Sequence, residues 1–271
     1  MAIKLILTDI DGTVLPYGKK AVTPRCVSAF HAAMDAGILV GPASGRFYSW
    51  IPSFFGDDVS CCATALATNG SQVYLGGEKV LQKELPAEGI RRALEVLADV
   101  PRSGLIFFEG ATPYLVQGDR EDLRECFPSY AETCVDRDDV PAAGITKANV
   151  FMCGDIERTR EVVALLNREV GGIDFDVPQR AFSNAMPAGW NKGAAVEWLL
   201  ERLGIARDEA VVFGDAGNDL QMFAAVEHSV AVAGALPEAR EAARWHIGAV
   251  EDDAVPAAIE AIAAGEFPFS S

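Results

Sequence analysis

The sequence lacks three features that would each indicate a particular class of protein. Its six cysteines form no CxxC pair and are scattered among 271 residues, which favours reduced thiols in a cytosolic protein over a disulfide framework. The longest apolar runs fall well short of the ~20 residues that a membrane span needs. The first residues do not have the architecture of a signal peptide. We therefore expect a cytoplasmic protein with no membrane partner.

Positive charge is also scarce. There are 23 Lys and Arg residues against 39 Asp and Glu residues, so the formal net charge is −16 at pH 7. This balance argues against binding to nucleic acid or to an anionic membrane surface. An acidic surface suits a monomer or a weak homo-oligomer. The three histidines lie far apart in the sequence, and we expect them to be packing or surface residues rather than metal ligands.

Half of the residues are hydrophobic, which is enough to form a substantial core. Strand and helix patterns alternate near both ends of the chain, whereas the middle reads as a helix, two strands, a polar stretch, a strand, a helix and two strands. We predict an α/β fold: a Rossmann-like parallel-sheet core with an inserted α+β domain. The predicted core comprises residues 1–82 and 188–271, and the predicted insertion comprises residues 83–187.

The first apolar run ends in an acidic turn. Residues 4–8 are typical of a buried strand, and Asp9, Asp11, Gly12 and Thr13 follow it. Ligands of open α/β sheets bind beyond the carboxyl ends of the strands, so both carboxylates are expected in a crevice. There they repel each other unless a cation lies between them or one of them holds a proton. Gly12 permits a tight turn, and Thr13 adds a hydroxyl and an N–H.

Later stretches place complementary groups after strands or at a helix start. Ser44 and Gly45 follow a short strand, and their hydroxyl and N–H groups can bind an anion. Lys192 opens a helix, where the helix dipole disfavours a cation unless an anion lies nearby. A second acidic turn, residues 214–219, follows a buried strand, and a turn at Asn69 ends another strand.

These groups are the ones that phosphoryl transfer requires. Asp9, Asp11 and Asp215 offer oxygen ligands of the kind that Mg²⁺ prefers. A lysine, a hydroxyl, a backbone N–H and a metal ion together can surround the oxygens of a phosphoryl group, where catalysis is mostly positioning and charge neutralisation. A carboxylate nucleophile can form an aspartyl-phosphate.

The stretches DIDGT, ASGR, WNKG and GDAGND resemble, in this order, the four motifs of the haloacid dehalogenase superfamily of phosphohydrolases. The insertion between the second and third motifs resembles that of the Cof-type branch, subfamily IIB with a C2B cap. The similarity covers essentially the whole chain. It implies a Mg²⁺-dependent phosphomonoester hydrolase that acts on a small phosphorylated metabolite, with a sugar phosphate as the first expectation, through an aspartyl-phosphate intermediate.

The resemblance also implies residue roles. Asp9 would be the nucleophile, and Asp11 would be the general acid for the leaving alcohol and then the base that activates water. Ser44 and Lys192 would hold the transferring phosphoryl oxygens. The implied metal ligands are Asp9, Asp11 through its backbone carbonyl, Asp215 and Asp219. The implied substrate-binding residues are Gly12, Thr13, Gly45, Arg46, Asn69 and Asn218.

Three other interpretations stay open at this stage. A haloacid dehalogenase needs no metal and no second aspartate, so Asp11 and Asp215 speak against it. A phosphomutase or phosphotransferase would use the same core. A non-catalytic metabolite-binding regulatory module would be indicated by loss of a catalytic position, and none is lost. The sequence departs from the family at Trp190 and Asn191, where Gly-x-Ser is usual, which weakens any inference of a specific substrate.

Overall fold

The computed structural model of this chain describes residues 2–269. These residues form two compact units. The first unit comprises the residues up to Leu81 and those from Asn191 onward, and the second comprises Gln82–Trp190.

The first segment of the chain begins with a fully buried strand. The elements of residues 2–82 are β1 (Leu5–Thr8), α1 (Pro24–Asp35), β2 (Leu39–Pro42), β3 (Ala65–Ala67), β4 (Gln72–Leu75) and β5 (Glu78–Gln82). Helix α1 starts at Pro24, because the Thr23 side chain accepts a hydrogen bond from the Cys26 N–H and Pro24 suits the first helical position. Strands β4 and β5 form a hairpin around Gly76 and Gly77, two adjacent glycines that are a typical turn signal.

The second unit is built on a six-stranded sheet. Its elements are α2 (Ala87–Leu97), β6 (Ser103–Glu109), β7 (Thr112–Gln117), α3 (Arg120–Cys126), α4 (Pro128–Thr133), β8 (Val135–Asp136), β9 (Lys147–Met152), α5 (Ile156–Glu169), β10 (Ile173–Phe175) and β11 (Phe182–Pro187). The strand order is β10-β11-β9-β6-β7-β8. Apolar residues of α2 and α5, such as Ile90 and Leu166, form a core with the sheet residues Leu105 and Val150.

The polar stretch of the second unit differs from the prediction. The sequence indicates one short helix and a loop between residues 119 and 143, whereas the structure has two helices and a short strand. The helices are separate because Pro128 cannot continue α3, and the residue before it, Phe127, is extended with φ −149°.

The last segment completes the first unit. Its elements are α6 (Lys192–Leu203), β12 (Ala210–Gly214), α7 (Leu220–Ala225), β13 (His228–Ala231), α8 (Pro237–Ala242), β14 (Trp245–His246) and α9 (Ala254–Ala263). The sequence pattern does not predict α7 or β14. Both are short: α7 has six residues and β14 has two.

The central sheet of the first unit is parallel, with strand order β14-β13-β12-β1-β2. Every residue of β1 and β12 is buried, as expected for parallel strands whose two faces are both covered. A second sheet of the first unit has the order β3-β4-β5. The predicted α/β class and parallel core sheet are confirmed. Between residues 2 and 269, no helix combines the length and apolar character needed to span a membrane.

Candidate active site

Three neighbouring strands of the parallel sheet end beside one another. Strand β1 lies between β12 and β2, and Thr8 is aligned with Phe213 on one side and with Pro42 on the other. The Asp9 N–H donates to the Phe213 carbonyl at 2.9 Å, so the alignment continues past the strand end. Because parallel strands end at one edge of the sheet, the acidic turns after β1 and β12 and the Ser44 turn after β2 meet there.

Lys192 is fully buried at the centre of this edge. Its Nζ lies 2.5 Å from Asp9 Oδ1 and 2.7 Å from Asp219 Oδ1. Burial opposes the charged form of Lys192, but the attraction of the two carboxylates outweighs burial and raises its pKa. The dipole of α6 disfavours a positive charge at its first residue, but Lys192 is paired there with two carboxylates.

The carboxyl group of Asp9 is in an environment that disfavours its charge. Burial raises its pKa well above the ordinary value, the ion pair with Lys192 opposes this, and the like charges of Asp219 and Asp215 add to the rise. An additional cation next to Asp9 would therefore stabilise its ionised form.

Asp219 organises the second acidic turn. Its Oδ2 accepts hydrogen bonds from the N–H groups of Asp215 at 3.0 Å and Ala216 at 3.2 Å. Its Oδ1 accepts from Lys192. Both oxygens of this fully buried carboxylate therefore have partners, and Asp219 links the turn after β12 to the first residue of α6.

Asp215 stands beside this ion pair. Its Oδ1 accepts from the Thr13 hydroxyl at 2.9 Å and its Oδ2 accepts from the Tyr17 hydroxyl at 3.1 Å. Burial and the charge of Asp219 raise the pKa of Asp215 to about 6, and the two hydroxyl donors and Lys192 oppose the rise. Tyr17 was not predicted from the sequence, because it belongs to none of the four motifs.

Gly12 is required where the two acidic turns approach. Its φ is +82°, which L side chains rarely adopt. A Cβ atom there would lie 2.4 Å from Asp215 Oδ2 and 2.7 Å from the Tyr17 hydroxyl. No side chain fits without moving Asp215.

The carboxylates of three aspartates are close enough to share a cation. Asp9, Asp215 and Asp219 each offer an oxygen, and these oxygens all lie within 4.8 Å of one another. Hard divalent cations such as Mg²⁺ prefer oxygen ligands of this kind. Lys192 supplies a single positive charge against three carboxylates, so a further cation fits the charge of the site as well as its donor atoms.

Asp11 is placed differently from the other aspartates. Arg46 holds both of its carboxylate oxygens, with Nε 2.9 Å from Oδ2 and Nη2 2.7 Å from Oδ1. Both side chains are more than a third exposed, and the Arg46 guanidinium also lies 4.5 Å from the centre of the Phe54 ring. Among the described residues, the Asp11 carboxylate is outside the three-aspartate cluster.

The remaining predicted residues form a polar group: Ser44, Gly45 and Asn69 follow β2 and β3, and Asn218 follows β12. The Ser44 hydroxyl accepts from the Arg46 N–H at 3.2 Å, and the Ser44 carbonyl accepts from the Asn69 N–H at 2.9 Å. Asn69 is left-handed with φ 53°, and its Oδ1 lies 3.5 Å from the Asn218 amide nitrogen. A Cβ on Gly45 would be 3.1 Å from Asn69 Oδ1, so this backbone also runs close to the amide.

Similarity to curated proteins extends over most of the chain. An "HMP-PP phosphatase" of Klebsiella pneumoniae (strain 342) is 28% identical over 242 residues, which cover 87% of this chain and 86% of that protein. The 5-amino-6-(5-phospho-D-ribitylamino)uracil phosphatase YbjI of Escherichia coli (strain K12) is 25% identical over 280 residues, which cover 99% of each protein.

Solved structures share the fold. The sugar phosphatase BT4131, of subclass IIB of the haloacid dehalogenase superfamily, aligns with a TM-score of 0.80 at 20% identity. The alignment covers 95% of this chain and 98% of that one. SMU.1108c from Streptococcus mutans UA159 aligns with a TM-score of 0.86 at 19% identity, covering 97% of this chain and 100% of its own. The family model for haloacid dehalogenase-like hydrolases matches residues 6–259. The chain therefore belongs to the haloacid dehalogenase-like hydrolases and is a phosphatase of that superfamily.

Proposed function

We propose that this phosphatase is a Mg²⁺-dependent phosphomonoesterase that cleaves a small phosphorylated metabolite through an aspartyl-phosphate on Asp9. The observation that carries the proposal is the fully buried Lys192, whose Nζ lies 2.5 Å from Asp9 and 2.7 Å from Asp219. A fixed cation beside a desolvated carboxylate suits a nucleophile that must approach an anionic substrate.

The cation would be held by Asp9, Asp215 and Asp219, whose oxygens are clustered, together with the Asp11 carbonyl that the family resemblance implies. Bound there, Mg²⁺ supplies the positive charge that offsets repulsion between the carboxylates and the phosphoryl oxygens. Asp219 also has a positioning role, because its two oxygens are engaged by Lys192 and by the backbone of its own turn.

Asp9 would perform the first chemical step. Lys192 binds Oδ1, which leaves Oδ2 to attack the phosphorus of the substrate. As the bond between Asp9 and phosphorus forms, the bond between phosphorus and the ester oxygen breaks, and Asp11 gives its proton to the leaving alcohol. Water then attacks the aspartyl-phosphate and gives a proton to Asp11, which releases inorganic phosphate and restores Asp9.

Arg46 would control the availability of Asp11. It contacts both carboxylate oxygens in the structure, so at least one contact must open before Asp11 can exchange a proton with a substrate or with water. In this proposal Ser44, Gly45, Asn69 and Asn218 face the phosphoryl oxygens and the substrate. Their hydroxyl, N–H and amide groups are donors suited to an anion.

The class of substrate rests on similarity. The two curated relatives are named for HMP-PP and for a phosphorylated ribitylaminouracil, and one relative in fold is a sugar phosphatase. We propose a sugar phosphate as the first substrate class to test, followed by phosphorylated pyrimidines. We also propose that the second unit corresponds to the cap domain that the resemblance implies, with residues 83–187 as its expected extent.

The test measures inorganic phosphate released from sugar phosphates, phosphorylated pyrimidines, nucleotides and cofactor phosphates, with Mg²⁺ and with EDTA. Asp9→Asn should abolish release, whereas Asp35→Asn on the exposed side of α1 should retain it. Release that survives EDTA or Asp9→Asn would contradict the proposed mechanism. Conversion of a sugar phosphate to its isomer without release of phosphate would instead indicate a mutase.

A further inference from the structure

The second unit contains a pair of thiols that the proposed reaction does not use. Cys126 is the last residue of α3 and Cys153 directly follows β9, and their sulfur atoms are 3.3 Å apart. Both cysteines are free, and both line a cavity of about 420 Å³. The pair is therefore reachable from a space large enough for a small ligand.

Carboxylates surround the pair. Asp122, Glu125 and Cys126 are spaced i, i+3 and i+4 along α3, which places them on one face of the helix. Single ligand atoms of Asp122, Glu125 and Cys153 all lie within 4.8 Å of one another. The Cys153 sulfur lies 3.6 Å from Asp122 Oδ1 and 3.4 Å from the Asp122 carbonyl oxygen.

We propose that Cys126, Cys153, Asp122 and Glu125 form a binding site for a thiophilic divalent cation such as Zn²⁺. A tetrahedral zinc ion with sulfur ligands at roughly 2.3 Å requires neighbouring sulfur atoms to be about 3.8 Å apart. The sulfur pair at 3.3 Å and the sulfur–oxygen pair at 3.6 Å need only small adjustments to reach that geometry.

The charged groups around the two thiols determine what a bound cation would replace. Arg102 contacts Asp122 Oδ1 at 2.8 Å and Glu125 Oε2 at 2.6 Å, and Arg180 also lines the cavity. Arg102 is thus the cationic partner of both carboxylates while the thiols are protonated, and a divalent cation has to displace it from them. Binding of a divalent cation converts two thiols to thiolates and releases two protons, so the total charge of the site does not change and no oxidant is needed.

A disulfide is the competing outcome for two neighbouring thiols, and it is less favoured. The sulfur atoms would have to approach from 3.3 Å to about 2.05 Å. Burial raises the pKa of Cys126, and burial followed by the hydrogen bond with Cys126 raises the pKa of Cys153 to about 12. These shifts disfavour the thiolate both as a nucleophile and as a metal ligand, but a disulfide additionally requires a two-electron oxidant, whereas cation binding only releases protons.

The test titrates reduced, metal-free protein with Co²⁺ as a spectroscopic probe, in excess Mg²⁺ so that the aspartates of the first unit do not bind the probe. We expect one equivalent of Co²⁺ to give a thiolate-to-cobalt charge-transfer band and tetrahedral d–d bands, and Zn²⁺ to remove both. Cys126→Ser and Cys153→Ser should each weaken binding at least tenfold. Asp122→Asn should weaken binding and keep the charge-transfer band.

Cys134→Ser is the matched control, since Cys134 is a buried thiol of the same unit that contacts Arg120, and it should bind Co²⁺ like the wild type. If Cys153→Ser fails to fold, the half-buried Cys126→Ser decides the result. A charge-transfer band of unchanged intensity and affinity in Cys126→Ser, no band in protein whose six thiols titrate as reduced, or formation of a Cys126–Cys153 disulfide without any Co²⁺ binding would each overturn the proposal. Phosphate release is assayed separately, so failure here does not bear on the proposed hydrolase.

Discussion

Lys192 is a fully buried cation whose partners are two buried carboxylates. Removing one partner of a buried ion pair is far more destabilising than removing the whole pair, because the remaining charge loses both water and its counter-ion. The side chain therefore matters for stability as well as for the proposed chemistry, and the two contributions can be separated.

We expect Lys192→Met to lower the free energy of unfolding by about 3–5 kcal/mol, because Asp9 and Asp219 are left buried without their cation. Adding Asp219→Asn to Lys192→Met should recover part of this loss by removing one of the stranded charges. The measurement is urea unfolding at pH 7 in EDTA, with the exposed Lys20→Met as the control. Equal stability of the single and double variants would show that the charge of Asp219 does not cause the destabilisation of Lys192→Met.

Asp215 predicts a pH-dependent stability in the absence of metal. Its folded-state pKa of about 6 lies above the ordinary value of 3.8, so the folded protein binds more protons than the unfolded chain between these values. Ionisation of Asp215 thus costs stability, the cost is absent below about pH 4, and it is fully developed above about pH 6.

We expect Asp215→Asn in EDTA to become more stable relative to the wild type as pH rises from 4 to above 6, by on the order of 1–3 kcal/mol. An amide of similar shape removes the charge and can still accept a hydrogen bond from Thr13. Unfolding of both proteins across this pH range measures the difference, with the exposed Asp35→Asn as the control. A difference that falls with rising pH would contradict the assigned direction of the shift.

The start of α6 determines where Lys192 points. Asn191 is the N-cap, and its Oδ1 accepts a hydrogen bond from the Ala194 N–H at 3.0 Å. Because Lys192 is the first residue of the helix, the cap and the lysine share one local backbone geometry.

Asn191→Ala should cost about 1 kcal/mol of stability through the lost cap and should also lower the rate of phosphate release, because Lys192 is held less firmly. Asn191→Asp keeps an acceptor at the cap and should retain most of both properties. Thermal unfolding and initial rates for the two variants provide the comparison. If the aspartate variant loses as much as the alanine variant, the cap hydrogen bond is not the cause.

Helix α3 shows how a short element can bring distant residues together. Its seven residues place three potential ligands on one face, and the fourth, Cys153, comes from the end of β9. Pro128 ends α3 immediately after Cys126, so the thiol lies at the end of the helix rather than within it. The proposed thiol site depends on this break.

The molecule as a whole carries a net charge of −16, and its three clustered aspartates add a local concentration of negative charge. A cation that binds only the folded protein stabilises it by mass action, by about 2.7 kcal/mol at a concentration one hundred times its Kd. Screening of the overall charge by any salt also stabilises the folded state to some extent.

We expect Mg²⁺ to raise the Tm of the wild-type protein by several degrees beyond the effect of NaCl at the same ionic strength. The excess should largely disappear in Asp215→Asn, which loses one of the three clustered carboxylates. Calorimetric or fluorescence melting curves with Mg²⁺, NaCl and EDTA make this measurement. Identical shifts with Mg²⁺ and NaCl would indicate charge screening without a specific site.

Sequence by itself determined the features that depend on neighbouring residues. Thr23 and Pro24 mark the start of α1, two glycines mark the hairpin, and continuous apolar runs mark β1 and β12, because caps, turns and burial on both faces leave local patterns. The order of four short motifs was enough to identify the superfamily, which the family match over residues 6–259 confirms. The roles of the individual site residues remain predictions.

Only the tertiary structure decided which side chains meet. The contact of Tyr17 with Asp215 spans 198 residues, and that of Arg46 with Asp11 spans 35. The order of the strands determines such contacts, and no local pattern encodes them. Cys126 and Cys153 were scattered thiols in the sequence and became neighbours only when α3 packed beside β9. Short elements such as α7 and β14 depend in the same way on packing against neighbouring elements, because so few residues carry little periodicity of their own.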